Sequence, residues 1–202
     1  MSSIISTKTA RIISTLFVPP SFTIIIFTIF AFTLEDSSIK KTSLILTALL
    51  FGFIFPVIMF AAFRKKGLIA DIDAKIKEER TFPFILSVLF YATGLIILII
   101  FRINIVSIAF WFCYISNTLL LVIINKYWKI SAHMMGASGP FAALIYVFGY
   151  SALPFILLLY LIGHARIKLQ CHTPGQVLAG AFFAFISTYV QIYLITKYFG
   201  YA

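Results

Sequence analysis

Carboxylates are scarce in this sequence. Only six Asp and Glu stand against sixteen Lys and Arg in 202 residues. Four of the six, Asp71, Asp73, Glu78 and Glu79, crowd into one segment, and none lies inside a long apolar run. That excludes a carboxylate cage for magnesium within those runs. Cysteine is rarer still. Cys113 lies inside an apolar run and Cys171 abuts His172, so neither a disulfide framework nor a zinc site follows. Charged residues of both signs make up 11% of the chain, too few to clothe a soluble domain. Internal repeats and low-complexity segments are absent as well.

What is present is hydrophobic, at 62% of residues, and arranged in long uncharged runs. The first, about 12–33, is too long for a signal-peptide core and reads as a retained span with Pro19-Pro20 near its start. A second covers about 43–63 and carries Pro56. Residues 82–125 hold two spans joined at Arg102–Asn104, residues up to Gly163 hold two short ones, and 176–196 holds the last. The expected fold is therefore an all-α, polytopic transmembrane helical bundle of six to seven spans, forming one domain over residues 1–202. Between the second and third spans, Arg64–Arg80 is a structured loop or a helix lying on the membrane surface, with Leu68, Ile69, Ile72 and Ile76 at helical spacing.

The net charge of +10 does not point to nucleic acid. The basic residues sit in short segments between apolar runs, where they orient helices and meet anionic membrane lipids. With seven spans, only Lys40, Lys41, Arg102 and Lys197 fall on one face. All other basic residues gather on the opposite face, which the positive-inside rule assigns to the cytoplasm.

Three polar segments share that basic face. One offers Lys75, Lys77 and Arg80, the next Lys129, Ser131 and His133, and the last Arg166, Lys168 and His172. A guanidinium fork matches two phosphate oxygens. One imidazole can attack phosphorus while a second protonates the leaving oxygen, and fixed cations hold the nonbridging oxygens. Such a site requires no metal and no organic cofactor. Ala165-Arg166-x5-His172-x3-Gln176, Ile130-Ser131-Ala132-His133 and Lys75-x6-Phe82-Pro83 are the segments in question, with Arg80 two residues before the Phe.

These segments resemble the three motifs of the integral membrane branch of the type 2 phosphatidic acid phosphatase superfamily. Those motifs read Lys-x6-Arg-Pro, Pro-Ser-Gly-His and Ser-Arg-x5-His-x3-Asp, and the resemblance covers about residues 75–180. It implies a lipid phosphatase of a bacterial inner membrane, acting through a phosphohistidine. His172 would be the nucleophile and His133 the general acid, with Gln176 where the family has a carboxylate bonded to the nucleophile. Lys75, Lys77, Arg80, Ser131 and Arg166 would bind phosphate. The implied substrate is a lipid phosphate: polyprenyl pyrophosphate, phosphatidic acid or phosphatidylglycerol phosphate, the first ranked ahead. Gln176 and the irregular first motif support an alternative, a catalytically degenerate lipid-binding or transport scaffold. Asp71 and Asp73 do not make a prenyltransferase metal site, because a spaced second aspartate-rich motif is missing.

Overall fold

The computed structural model describes residues 5–73 and 76–200, and the described residues form helices joined by turns and loops, with no strand. Chain order gives α1 (Thr7–Leu16), α2 (Pro19–Leu34), α3 (Ser38–Thr47), α4 (Phe55–Lys65), α5 (Thr81–Ile100), α6 (Ile105–Tyr127), α7 (Ala132–Phe148), α8 (Phe155–Lys168) and α9 (Pro174–Phe199). The two prolines after α1 occupy the first turn of α2, where a missing N–H costs nothing. The axes of α1 and α2 meet at 53° there. Seven residues of π-helix, Ala48–Ile54, join α3 to α4 immediately before Pro56. A wider turn relieves the clash a proline ring makes with the carbonyl four residues back.

Four helical stretches are long and apolar enough to cross a membrane: Ser38–Lys65, Glu78–Ile100, Ile105–Tyr127 and Pro174–Phe199. The bent pair α1–α2 makes a fifth. Six to seven such spans are not reached by length alone. The helices α7 and α8 have 17 and 14 residues, short of the roughly 20 that a 30 Å hydrocarbon layer asks for.

Short as it is, α7 is the centre of the bundle. An unbroken run from Ala137 to Leu144 is buried on every side. Small residues allow this packing. A Cβ on Gly136 would stand 2.5 Å from Pro19 Cβ, and one on Gly139 would stand 3.1 Å from Thr188 Oγ1. The Ser138 hydroxyl donates to the Ala181 carbonyl at 2.7 Å, tying α7 to α9. An aromatic cluster of Phe27, Phe110, Trp111 and Tyr114 fills the space between α2 and α6.

With α1–α2 one bent stretch and α3 to α4 another continuous one, the connections collect at two ends. At one end the Glu35 carboxylate accepts from the Asn104 N–H at 2.9 Å, and Tyr146 meets Thr196. The three polar segments collect at the other. Between α4 and α5 the described residues form turns, bends and the short 3-10 turn Glu78–Arg80, with no α-helix among them. Gly67, at φ +72°, ends α4, and the Asp73 N–H donates to Asp71 Oδ1 at 2.7 Å in a side-chain turn. Ile69 is buried, while Leu68, Ile72 and Ile76 are exposed, so the helical spacing of those four residues does not correspond to one face.

Candidate functional site

The turn between α8 and α9 sets the position of His172. Gln170 takes a left-handed conformation, φ +54°, and the Cys171 N–H returns to the Arg166 carbonyl at 3.1 Å, closing α8. Thr173 then caps α9: its hydroxyl accepts from the Gln176 N–H at 3.3 Å while Gln176 Oε1 accepts from the Thr173 N–H at 3.2 Å. His172 is thus held one residue outside a helix N-terminus, where the backbone favours negative charge.

Gln176 also fixes the state of the imidazole. The atom that accepts from the Thr173 N–H must be the amide oxygen, and the same atom lies 3.1 Å from His172 Nδ1. An amide oxygen only accepts, so Nδ1 carries the proton and Nε2 keeps the lone pair. Burial, with the positive charges of Arg80, Arg166 and Lys129 added to it, lowers the His172 pKa to about 3. The Gln176 contact opposes this only in part. The ring is neutral at pH 7, the form a nucleophile requires.

His133 lies in the first turn of α7, which Ser131 caps by accepting from the Met134 N–H at 3.4 Å. Its Nε2 stands 3.2 Å from the carbonyl oxygen of Ser14 in α1. A carbonyl accepts only, so in the neutral ring Nε2 donates and Nδ1 is left with the lone pair. The Ser131 N–H donates to the Gln176 carbonyl at 3.3 Å, which brings the N-termini of α7 and α9 together.

Arg166, in the last turn of α8, is completely buried. Its Nη1 donates to Ser14 Oγ at 2.5 Å and to Asp73 Oδ1 at 2.6 Å. Nε and Nη2 are buried with no hydrogen-bond partner among the described residues. Each unmet donor of this kind costs about 1–3 kcal/mol, more when charged, and the two together form the edge that grips a planar or tetrahedral anion bidentately. Asp73 also receives Arg11 Nη1 at 2.7 Å. Burial resists its ionisation, but the hydrogen bonds from Arg11 and Arg166 outweigh that and hold its pKa at about 2.

His133, His172, Arg80 and Asp73 line the polar end of a single cavity of about 620 Å³. From there the cavity runs between helices, walled by Phe60, Phe84, Tyr91, Phe110, Tyr114 and Leu121. Arg80, the residue before α5, and Tyr91 within α5 both face it, about 17 Å apart at 1.5 Å per residue. A charged head and an apolar shaft suit an amphiphile carrying an anion at one end.

The remaining residues expected at the site distribute unevenly. Arg166 and Ser131 lie behind the cavity wall rather than on it. Lys129, half-buried, donates from Nζ to the Cys171 carbonyl at 2.8 Å, next to His172. Burial and the neighbouring Arg80 lower its pKa. Lys77 turns away and donates to the Lys126 carbonyl at 2.9 Å, at the end of α6. Lys75 falls outside the described residues. The carboxylates of the first loop do not stand in for the one missing at position 176, since Asp73 engages arginines and Glu79 accepts from the Ala70 N–H. Arg11 and Ser14 were not expected here. They share one face of α1 at i, i+3 spacing, but sequence does not say what that face packs against.

Compared with family models, curated proteins and solved structures, the chain matches none of them.

Proposed function

We propose that this chain is an integral membrane phosphatase that removes phosphate from a lipid pyrophosphate through a phosphohistidine on His172. The observation that carries the reading is the pair of imidazoles lining one cavity, with His172 Nε2 unprotonated in the field of three fixed cations. The lipid tail lies in the apolar shaft and the phosphates sit at the charged end. His172 Nε2 forms a bond to the terminal phosphorus while the bridging P–O bond breaks, and the oxygen leaves with its electron pair on the lipid monophosphate. Water then attacks the same phosphorus, the N–P bond breaks back to His172, and the water proton passes to His133 Nδ1. Arg80 on the cavity lining, and Arg166 from behind its wall, counter the charge on the nonbridging oxygens, supported by the N-termini of α7 and α9.

A pyrophosphate is favoured over a simple phosphate ester by what the imidazoles lack. His172 is partnered by an amide and His133 by a backbone carbonyl, so neither has a carboxylate to stabilise a cationic ring. A departing phosphate needs no proton, whereas a departing alkoxide does. In this reading seven helical segments traverse the bilayer, the short α7 and α8 shielded by their neighbours, and the basic end faces the cytoplasm.

Phosphate release from polyprenyl pyrophosphate, measured in detergent with EDTA present, tests the proposal. Wild type releases phosphate and forms an acid-labile phosphoenzyme, and His172→Ala does neither. Equal release by the two proteins overturns the assignment and favours the alternative, a scaffold of the same fold that binds lipid without catalysis.

A further inference from the structure

Asp73 stands where three arginines from three parts of the chain meet. Its Oδ1 holds Arg166 of α8 at 2.6 Å and its Oδ2 holds Arg11 of α1 at 2.7 Å. Its carbonyl oxygen accepts from Arg80 Nη2 at 3.4 Å, and the turn onto Asp71 fixes its own backbone. The carboxylate itself is only 5% exposed. No other acidic side chain among the described residues is within ion-pair distance of Arg166.

From this we infer that Asp73 is the positioning residue of the phosphate site, the carboxylate that aims Arg166. The inference rests on the phosphatase reading above. A guanidinium offers two bidentate edges, and Asp73 takes only the Nη1 nitrogen, which it shares with Ser14 Oγ. The Nε–Nη2 edge is left buried with no partner among the described residues, on a guanidinium tied through Ser14 to the same residue that His133 bonds. A carboxylate acting as a plug in place of phosphate would cover that edge. Asp73 instead anchors the opposite nitrogen, and Arg11 anchors Asp73 in turn. The carboxylate that the nucleophile lacks at Gln176 is thus present in the site, but bonded to the anion-binding arginine.

The two roles predict opposite signs. With purified full-length protein in detergent, Asp73→Asn is measured for phosphate release from polyprenyl pyrophosphate and for orthovanadate affinity. Positioning predicts that KM and the vanadate dissociation constant each rise at least tenfold while kcat falls less than threefold, with partial recovery in Asp73→Glu. A merely structural role lowers kcat, as active protein is lost, at constant KM. A plug raises activity and tightens vanadate. Either of those two results overturns the inference and leaves the phosphatase reading standing. Arg11→Gln keeps the test decisive if Asp73→Asn does not fold. The Arg11 side chain is 42% exposed, and its loss raises the vanadate dissociation constant about threefold if Asp73 needs both tethers. An unchanged value again overturns the inference. A wild-type protein that neither releases phosphate nor binds vanadate overturns the phosphatase reading together with it.

Discussion

Gly180 of α9 backs onto the carbonyl oxygen of Ser131: a Cβ added at Gly180 would stand 2.8 Å from that oxygen and 3.3 Å from Met134 Cβ. Ser131 caps α7 two residues before His133, while Gly180 lies eight residues after His172 on the helix that His172 precedes. The distance between the two imidazoles therefore depends on a contact that only a hydrogen at Gly180 permits.

Gly180→Ala is expected to push α9 from the start of α7, because a backbone oxygen cannot rotate away as a side chain can. Overpacking of this kind costs about 1–3 kcal/mol. Phosphate release should fall at least tenfold, since displacement by about 1 Å can cost as much as a hundredfold. Gly175→Ala in the first turn of the same helix is the control. Its Cβ would meet only Thr173 Oγ1, at 4.0 Å, and thermal stability should change by less than about 0.5 kcal/mol.

Gln176→Glu separates the two jobs of position 176. Glutamate at the third helical position completes a capping box as well as glutamine does, and its charge suits the helix N-terminus. The Thr173 and His172 contacts keep their geometry while the partner of Nδ1 becomes anionic. The His172 pKa should rise from about 3, and the cationic phosphohistidine should be stabilised. Hydrolysis of an alkyl phosphate ester should gain about tenfold or more relative to pyrophosphate hydrolysis. Steady-state rates on the two substrates check this, and an unchanged ratio would show that position 176 does not discriminate leaving groups.

The pH dependence follows from the same histidine. Burial and the surrounding cations depress its pKa in the folded protein from 6.5 to about 3. The unfolded chain takes up its proton near pH 6.5 and the folded one only near pH 3. Stability from this group is thus complete above pH 6.5 and declines as pH falls toward 3. Between pH 6.5 and 5 the loss amounts to about 2 kcal/mol. Melting in detergent should show wild type losing more stability over that interval than His172→Asn. The kcat/KM profile should lack an acid limb at pH 6.5 arising from His172.

Part of this site was open to reading from residue order alone. The Arg166-x5-His172 spacing closes one helix and precedes the next, so both residues had to stand at the same end of the bundle. Pro19-Pro20 likewise marked a helix start, since two prolines in succession fit only a first helical turn. Asp73 was visible as a carboxylate but not as a hub. Its partners lie 62 and 93 residues away, and only packing of α1 against α8 brings them together. Ser14 holds His133 through its backbone carbonyl, a group every residue has. Lys77 looked equivalent to its neighbours, yet its ammonium is drawn to the unpaired carbonyl end of α6.

The apolar shaft supplies the final prediction. Thr118 lies on its wall, on the face of α6 that also presents Phe110, Tyr114 and Leu121 to the cavity. These positions fall at i, i+4, i+8 and i+11, so they form one stripe of the helix. Thr118 is half-buried on α6, a helix that carries neither histidine, so replacing it is directed at the shaft. Thr118→Trp should fill part of the shaft and raise KM for a polyprenyl pyrophosphate of long chain at least tenfold. Hydrolysis of a short-chain pyrophosphate, whose tail stops short of residue 118, should be unaffected. Rates compared across a chain-length series give the depth at which the tail meets residue 118. If all chain lengths lose activity equally, the tail does not occupy the shaft.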